Sequence, residues 1–388
     1  MAENQPVNKH RMNKALSSFA ARLRLAMARQ AHHLDFDVLA LQLYALQFQL
    51  NPAYGKICAA RGLTPGTVED WTQIPFVPAK AFKELEFSSI PPDERTAVFH
   101  SSGTLEQKPS RHFHCAESLA LYEASLWPWF AANCRLPLAA PGCAEPGCQL
   151  LILAPPPEQA PHSSLVHMFE TVRQNLGAAG WRSGRSVFCG RLESHGAWGL
   201  DFESVLALLK PDLPSPIPLP QLILGTAFSF VHLLDFLAEN QLRLKLPRGS
   251  RVMETGGYKN RSRFLPKAEL HALITQQLGV GRENILCEYG MSELSSQAYE
   301  SDVQAPGSRL QPRAFRFPPW ARGQIISPET GREVADGETG LIRIFDLANV
   351  YSVAAIQTED LGIRRGDGFE LIGRAQRAEP RGCSLMTA

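Results

Sequence analysis

The chain has 388 residues, 44% of them hydrophobic, enough to bury one large core with a small appendage. Its 39 basic and 38 acidic residues leave a net charge of +1, so no electrostatic footprint for nucleic acid is visible and a polyanion-binding role is disfavoured. Eight cysteines, at 58, 115, 134, 143, 148, 189, 287 and 383, form no CxxC pair, and their scatter reads as the reduced thiols of a cytoplasmic protein.

Met1 to Arg11 is polar and lacks the apolar core of a signal peptide. Leu16, Phe19, Leu23 and Met27 then recur at helical spacing, and Val38 to Leu50 is a second apolar stretch interrupted by Gln42, Gln47 and Gln49. Neither is long or pure enough to cross a bilayer. Residues 1–50 are therefore expected to form a helical segment packed on the core, with a docking surface for a partner as the other reading.

After the apolar Ala97-Val98-Phe99 comes His100-Ser101-Ser102-Gly103-Thr104-Leu105-Glu106-Gln107-Lys108-Pro109-Ser110. Glycine lets backbone N–H groups approach an anion and three hydroxyls add donors without bulk, so this loop can hold phosphate; an ordinary turn is the plainer reading. The G-x-x-x-x-G-K-[ST] spacing of a Walker A loop is missing. His112-Phe113-His114-Cys115 imitates metal-ligand spacing, but strand alternation explains it better.

Gln149 to Ala154, Gln221 to Leu224, Val252 to Thr255, Ile285 to Leu286 and Leu341 to Phe345 read as short buried strands between helical or loop-rich stretches, an α/β pattern. Pro155-Pro156-Pro157 and Pro211 to Pro220 read as surface loops. Gly225 and the pair Gly256-Gly257 end strands where a ligand can approach closely. Pro161 to Met168 and Gly225 to Phe230 carry apolar residues that either line an acyl tunnel or simply fill the core.

In Asn284-Ile285-Leu286-Cys287-Glu288-Tyr289-Gly290-Met291-Ser292-Glu293 a strand runs into a polar loop. Its aromatic ring can stack on a base, its hydroxyl can reach phosphate, and Glu293 can hold Mg²⁺ through oxygen; a buried strand with a polar exit is the bland alternative. Gln357-Thr358-Glu359-Asp360-Leu361-Gly362 offers carboxylates to ribose hydroxyls, or is a turn ahead of Gly368 to Arg374. Near the end, Cys383 stands two residues after Arg381 and six after Arg377, cations that can lower a thiol pKa and favour the nucleophilic thiolate. On its own, an idle surface thiol is the plainer reading.

In this order the clusters resemble the adenylate-forming superfamily of acyl-CoA ligases, luciferases and related carboxylate-activating enzymes. The loop at 101–108 resembles its hydroxyl-rich phosphate signature, Tyr289 to Glu293 its Y-G-x-[ST]-E motif, and Thr358-Glu359-Asp360 its T-G-D, with glutamate in place of glycine and no second glycine in the phosphate loop. Within the superfamily the chain is similar to the acyl-protein synthetases of bacterial bioluminescence over roughly residues 40 to 388. The phrases that carry this are Phe76 to Lys83, Glu254-Thr255-Gly256-Gly257-Tyr258-Lys259 and Arg381-Gly382-Cys383-Ser384-Leu385.

The resemblance implies an α/β adenylate-forming large domain of layered sheets and helices over residues 51–373. It also implies a truncated C-terminal lid domain without its usual lysine, and a short arm at 374–388 carrying the acceptor cysteine. ATP and Mg²⁺ are the implied cofactors. Ser101, Ser102, Gly103, Thr104, Lys108, Gly256, Gly257, Glu288, Tyr289, Gly290, Ser292, Asp360 and Arg374 would bind the nucleotide, Glu293 would hold the metal, and Cys383 would accept the acyl group. The implied partners are a fatty acid or related carboxylic acid and an acyl-accepting protein such as a fatty-acyl reductase. A ligase using free coenzyme A and a nucleotide-binding subunit without turnover are the alternatives.

Overall fold

The computed structural model describes residues 13–29, 34–101, 108–136, 147–178, 182–193, 197–209, 218–256, 265–303 and 311–374. Asn13 caps helix α1 (Lys14–Ala28) by accepting from the Ala15 N–H at 2.9 Å, and Asp35 caps α2 (Phe36–Leu50) through the Val38 N–H. Leu16, Phe19, Leu23 and Met27 bury one stripe of α1, as their spacing predicts. α3 (Pro52–Ala60) follows at once, with Asn51 as its cap and Pro52 in its first turn. No helix among the described residues is long and apolar enough to cross a membrane.

Strand β1 (Val77–Pro78) leads to the antiparallel pair β2 (Ala97–His100) and β3 (Arg111–His114), which the phosphate-loop candidate connects. His112 and His114 point inward from β3 as strand alternation requires. α4 (Ala116–Asn133) then packs against α1, where Ser17 donates to Glu117 at 2.9 Å. Gln47 of α2 ties the N-terminal helices to distant chain. Its amide donates to the Asn349 carbonyl at 2.8 Å, and its oxygen accepts from the Ala354 N–H at 3.1 Å.

The central sheet has two halves of opposite sense. β4 (Gly147–Leu153) is followed by α5 (Ser164–Ala178), β5 (Arg182–Phe188), the small hairpin β6 (Gly190–Leu192) and β7 (Trp198–Leu200), and α6 (Phe202–Leu209). β8 (Gln221–Thr226), α7 (Ala227–Glu239), β9 (Arg251–Thr255), α8 (Lys267–Leu278) and β10 (Ile285–Tyr289) complete a parallel half in the order β5-β4-β8-β9-β10. Its strands are apolar on both faces because both are covered. Leu151, Leu153, Ile223, Val252 and Ile285 pack under α6, α7 and α8, while Leu150, Ile152, Leu222, Leu224 and Met253 pack under α4 and α5.

At β10 the sheet reverses. β11 (Ala298–Val303) returns antiparallel, and β12 (Gln311–Arg316), β13 (Ala321–Ile326), β14 (Thr339–Asp346), β15 (Ala355–Arg365) and β16 (Gly368–Arg374) extend the sheet in the order β11-β12-β16-β15-β14-β13, with β1 alongside β15. The five predicted strands correspond to β4, β8, β9, β10 and β14. The expected sites Ser102, Gly103, Thr104, Gly257 and Cys383 lie outside the described residues.

Candidate functional site

β8, β9 and β10 end on one edge of the sheet, where ligands of open α/β sheets bind, with Thr226 paired to Thr255 and Thr255 to Glu288. Gly256 leaves β9 with φ +71°, a turn that a residue with a Cβ enters only under strain. Gly290 opens the β10–β11 loop, and a Cβ on it would lie 2.4 Å from the Glu288 carboxylate.

That loop is held from below by two residues on which no motif falls. Asp346, fully buried, accepts from the Ser295 and Ser296 N–H groups at 2.9 and 2.8 Å, from the Ser296 hydroxyl at 2.7 Å and from the Ala348 N–H at 2.9 Å. Burial pushes its carboxyl up to about 6 while these donors pull the other way, leaving it largely ionised at neutral pH. Asn349 accepts from the Ser295 hydroxyl at 2.7 Å and donates to the Glu293 carbonyl at 2.8 Å. The only sequence signal for the pair is the polar Asp346-x-x-Asn349 exit after a predicted strand.

Glu293, 4% exposed, is the junction of the loop clusters. The Ser292 hydroxyl donates to one carboxylate oxygen at 3.0 Å and the Ser110 hydroxyl donates to the other. Ser110 in turn donates its N–H to the Ser101 hydroxyl at 2.9 Å, so both ends of the 101–110 segment are clasped together beside Glu293. Burial pushes the Glu293 carboxyl up, and its hydroxyl and backbone donors oppose the shift. His112 donates from Nδ1 to the Ser292 carbonyl at 2.8 Å; burial holds its ring down to about 4, hence neutral. Lys108 lies 3.6 Å from Glu84, both exposed.

A second junction joins the motif to β15. The Tyr289 hydroxyl donates to Asp360 Oδ2 at 2.8 Å, and Arg374 Nε stands 3.6 Å from Oδ1. Tyr289 is 7% exposed, its ring edge-on to Phe315, Phe317 and Phe369. Thr358 positions the carboxylate by accepting from the Asp360 N–H at 3.1 Å while donating to the Ile342 carbonyl at 2.7 Å. Burial raises the Asp360 carboxyl, against Tyr289 and Arg374.

Glu288 faces the other side of β10 and accepts from the Thr255 hydroxyl. Burial pushes it up to about 7, more than Thr255 pulls it back. The folded chain thus holds this proton more tightly than the unfolded chain, so its contribution is complete below about pH 4.5 and is lost as pH rises through about 7. We expect Glu288→Gln to match wild type in denaturant midpoint near pH 5 and to become relatively more stable by ~3 kcal/mol near pH 8. A constant difference between the two proteins across that range would refute this.

Of the two acyl-tunnel candidates, Val166, Met168, Ala227 and Phe230 lie in the packed core under α5 and α7. His162 differs: it stacks on His100 with ring centroids 4.7 Å apart.

Residues 197–388 match the acyl-protein synthetase family, LuxE, just under half of the chain. The long-chain-fatty-acid–luciferin-component ligase of Aliivibrio fischeri is 28% identical over 178 residues, 43% of this chain and 44% of that protein. The ligase of the same name from Vibrio harveyi is 23% identical over 195 residues, 48% of this chain and 49% of that protein. The match thus spans about half the length of these curated relatives or less. An open conformation of 2-hydroxyisobutyryl-CoA ligase, in complex with 2-HIB-AMP and CoA, superposes with a TM-score of 0.55 at 14% identity, covering 92% of this chain and 69% of that one. The same ligase in the postadenylation state gives 0.55 at 15% identity over 92% and 67%. At such identity the likeness concerns the fold alone, which is similar to that of this CoA ligase.

Proposed function

We propose that the chain activates a fatty or related carboxylic acid with ATP and passes the acyl group to its own Cys383 as a thioester, for delivery to a partner such as an acyl reductase. The observation that carries this reading is the Ser101–Ser110–Glu293 clasp, which joins the phosphate-loop candidate to the Y-G-x-[ST]-E motif beside Tyr289 and Asp360. The similarity to acyl-protein synthetases supports the choice of a protein-bound acyl product. A cytoplasmic setting goes with this reading.

Glu293 offers a carboxylate flanked by two serine hydroxyls, an all-oxygen donor set that fits a hard cation such as Mg²⁺. When bound, that ion supplies neutralisation of phosphate charge. The rest falls to the chain. Segment 101–110 cradles phosphate oxygens, Asp360 accepts from ribose hydroxyls, and Asp346 and Asn349 keep the motif loop rigid so that these groups need not reorganise. No general base is needed, because the substrate carboxylate is ionised near neutral pH. Its oxygen bonds the α-phosphorus as pyrophosphate leaves; the Cys383 thiolate then bonds the acyl carbon as AMP leaves.

Incubating the full chain with ATP, Mg²⁺ and labelled long-chain fatty acid should give hydroxylamine-sensitive label on the protein. Acyl-CoA formation from added coenzyme A without protein label would instead establish the free-CoA ligase, and ATP binding with neither product a subunit without turnover. Asp360 allows a sharper check. Asp360→Ala removes a charge-assisted acceptor worth roughly 1.5–3 kcal/mol, so the ATP dissociation constant should rise about 10- to 100-fold. An unaltered constant refutes the ribose role.

A further inference from the structure

One buried group of chemically capable side chains has no part in the site above. Glu254 on β9 and Cys287 on β10 are register partners, and α8, packed across these strands, presents His271 to both. His271 Nε2 lies 3.2 Å from Glu254 Oε1 and 3.7 Å from Cys287 Sγ, and the three donor atoms are all within 4.8 Å of one another. His271 and Cys287 are 2% exposed and Glu254 7%.

The arrangement is not a nucleophile relay. Such a relay needs thiol and carboxylate on different ring nitrogens, whereas here both approach Nε2, which carries at most one hydrogen. Nitrogen, oxygen and sulfur converge on one point instead. The two separations from Nε2, 3.2 and 3.7 Å, are close to the edges of a tetrahedron with metal bonds of about 2.0–2.3 Å, roughly 3.3–3.7 Å, and the third lies within 4.8 Å. Among the described residues His271 Nδ1 has no hydrogen-bond partner, and the ring's polar contacts run through Nε2 to the cluster itself. The neighbouring cation, Lys267, one turn earlier on α8, is committed to Glu300, whose other oxygen accepts from Arg282 at 3.0 Å.

We infer that Glu254, His271 and Cys287 form a three-ligand site for one borderline-soft divalent cation, Zn²⁺ being the ion that this donor set favours. On binding, the Cys287 thiol releases its proton to solvent and the sulfur–metal bond forms, with water as fourth ligand. Thiolate and carboxylate then balance the ion's two charges, so no net charge is buried. The ion would staple α8 to β9 and β10 directly behind the Thr255–Glu288 pair, and its affinity would rise with pH because a proton is displaced.

The probe is Co²⁺, titrated into the chelator-treated full-length chain under reducing conditions. One equivalent should bind, giving a near-ultraviolet thiolate-to-cobalt band with the visible bands of tetrahedral cobalt, and Zn²⁺ should abolish both while raising Tm. Cys287→Ser should lose the near-ultraviolet band. His271→Gln and Glu254→Gln should each weaken Co²⁺ binding at least tenfold and lose the Tm response. No saturable binding in the wild type, or a thiolate band that persists in Cys287→Ser, overturns the site. Should Cys287→Ser fail to fold by circular dichroism, unchanged Co²⁺ affinity in either glutamine variant overturns it on its own.

Discussion

Glu293→Gln is expected to lower ATP–pyrophosphate exchange by roughly 10²- to 10³-fold, the scale on which removal of one preorganised electrostatic group acts, while leaving the fold in place. The glutamine is isosteric. A serine hydroxyl accepts as readily as it donates, so Ser110 and Ser292 can bond an amide where they now bond the carboxylate. The Asn349 contact survives because it goes to the backbone carbonyl. What disappears is the negative charge, whose cost of burial a divalent cation would offset. Exchange within twofold of wild type, in a variant with unchanged denaturant midpoint, removes Glu293 from the chemistry.

For Cys383→Ser we expect normal pyrophosphate exchange with fatty acid and essentially complete loss of hydroxylamine-sensitive label and of acyl delivery to a reductase. The two half-reactions separate because Cys383 follows every nucleotide motif in the sequence. A hydroxyl is negligibly ionised near neutral pH, whereas a thiol is far more readily ionised, the more so where cations adjoin it, and Arg377 and Arg381 stand near Cys383 in the sequence. Label that survives the substitution places the acceptor elsewhere. Cys287 is the alternative that adjacency to Tyr289 suggests, but it is 2% exposed, and burial, then the Glu254 and Glu300 carboxylates, push its thiol well above the ordinary range. Its setting suits a metal ligand better than an acyl acceptor.

Four parallel strands, β4, β8, β9 and β10, were legible because burial on both faces writes an unbroken apolar run, as in Leu150 to Leu153, whereas β5, with Arg182, Ser183, Arg185 and Ser186, carries no such run. β15 was not, since Gln357, Glu359 and Arg364 interrupt any such run and it reads as a turn region. α4 was also missed: Pro128 sits inside it, where local rules end a helix, yet packing against α1, α5 and the sheet carries it through to Asn133. In the candidate site, Glu293, Tyr289 and Asp360 could be named from their motifs. Their supports could not. Ser110, His112, Thr255, Asp346 and Asn349 are common residue types whose importance arises from partners between 33 and 183 positions away.

The bond from Gln47 to the Asn349 carbonyl closes a span of 302 residues, which sets an order of events during synthesis. The N-terminal helices leave the ribosome first, yet the buried amide of Gln47 finds its acceptor only after almost the whole sheet has been translated. At about 5–20 residues per second that interval is roughly 15–60 s. Throughout it, the apolar flank of α2, with Phe36, Leu43 and Tyr44, has no native surface to cover from β14 and the loop after it. Nascent chains stalled before residue 349 should therefore be sensitive to protease and bind trigger-type chaperones at these helices, with protection arriving in one late step as the C-terminal strands emerge.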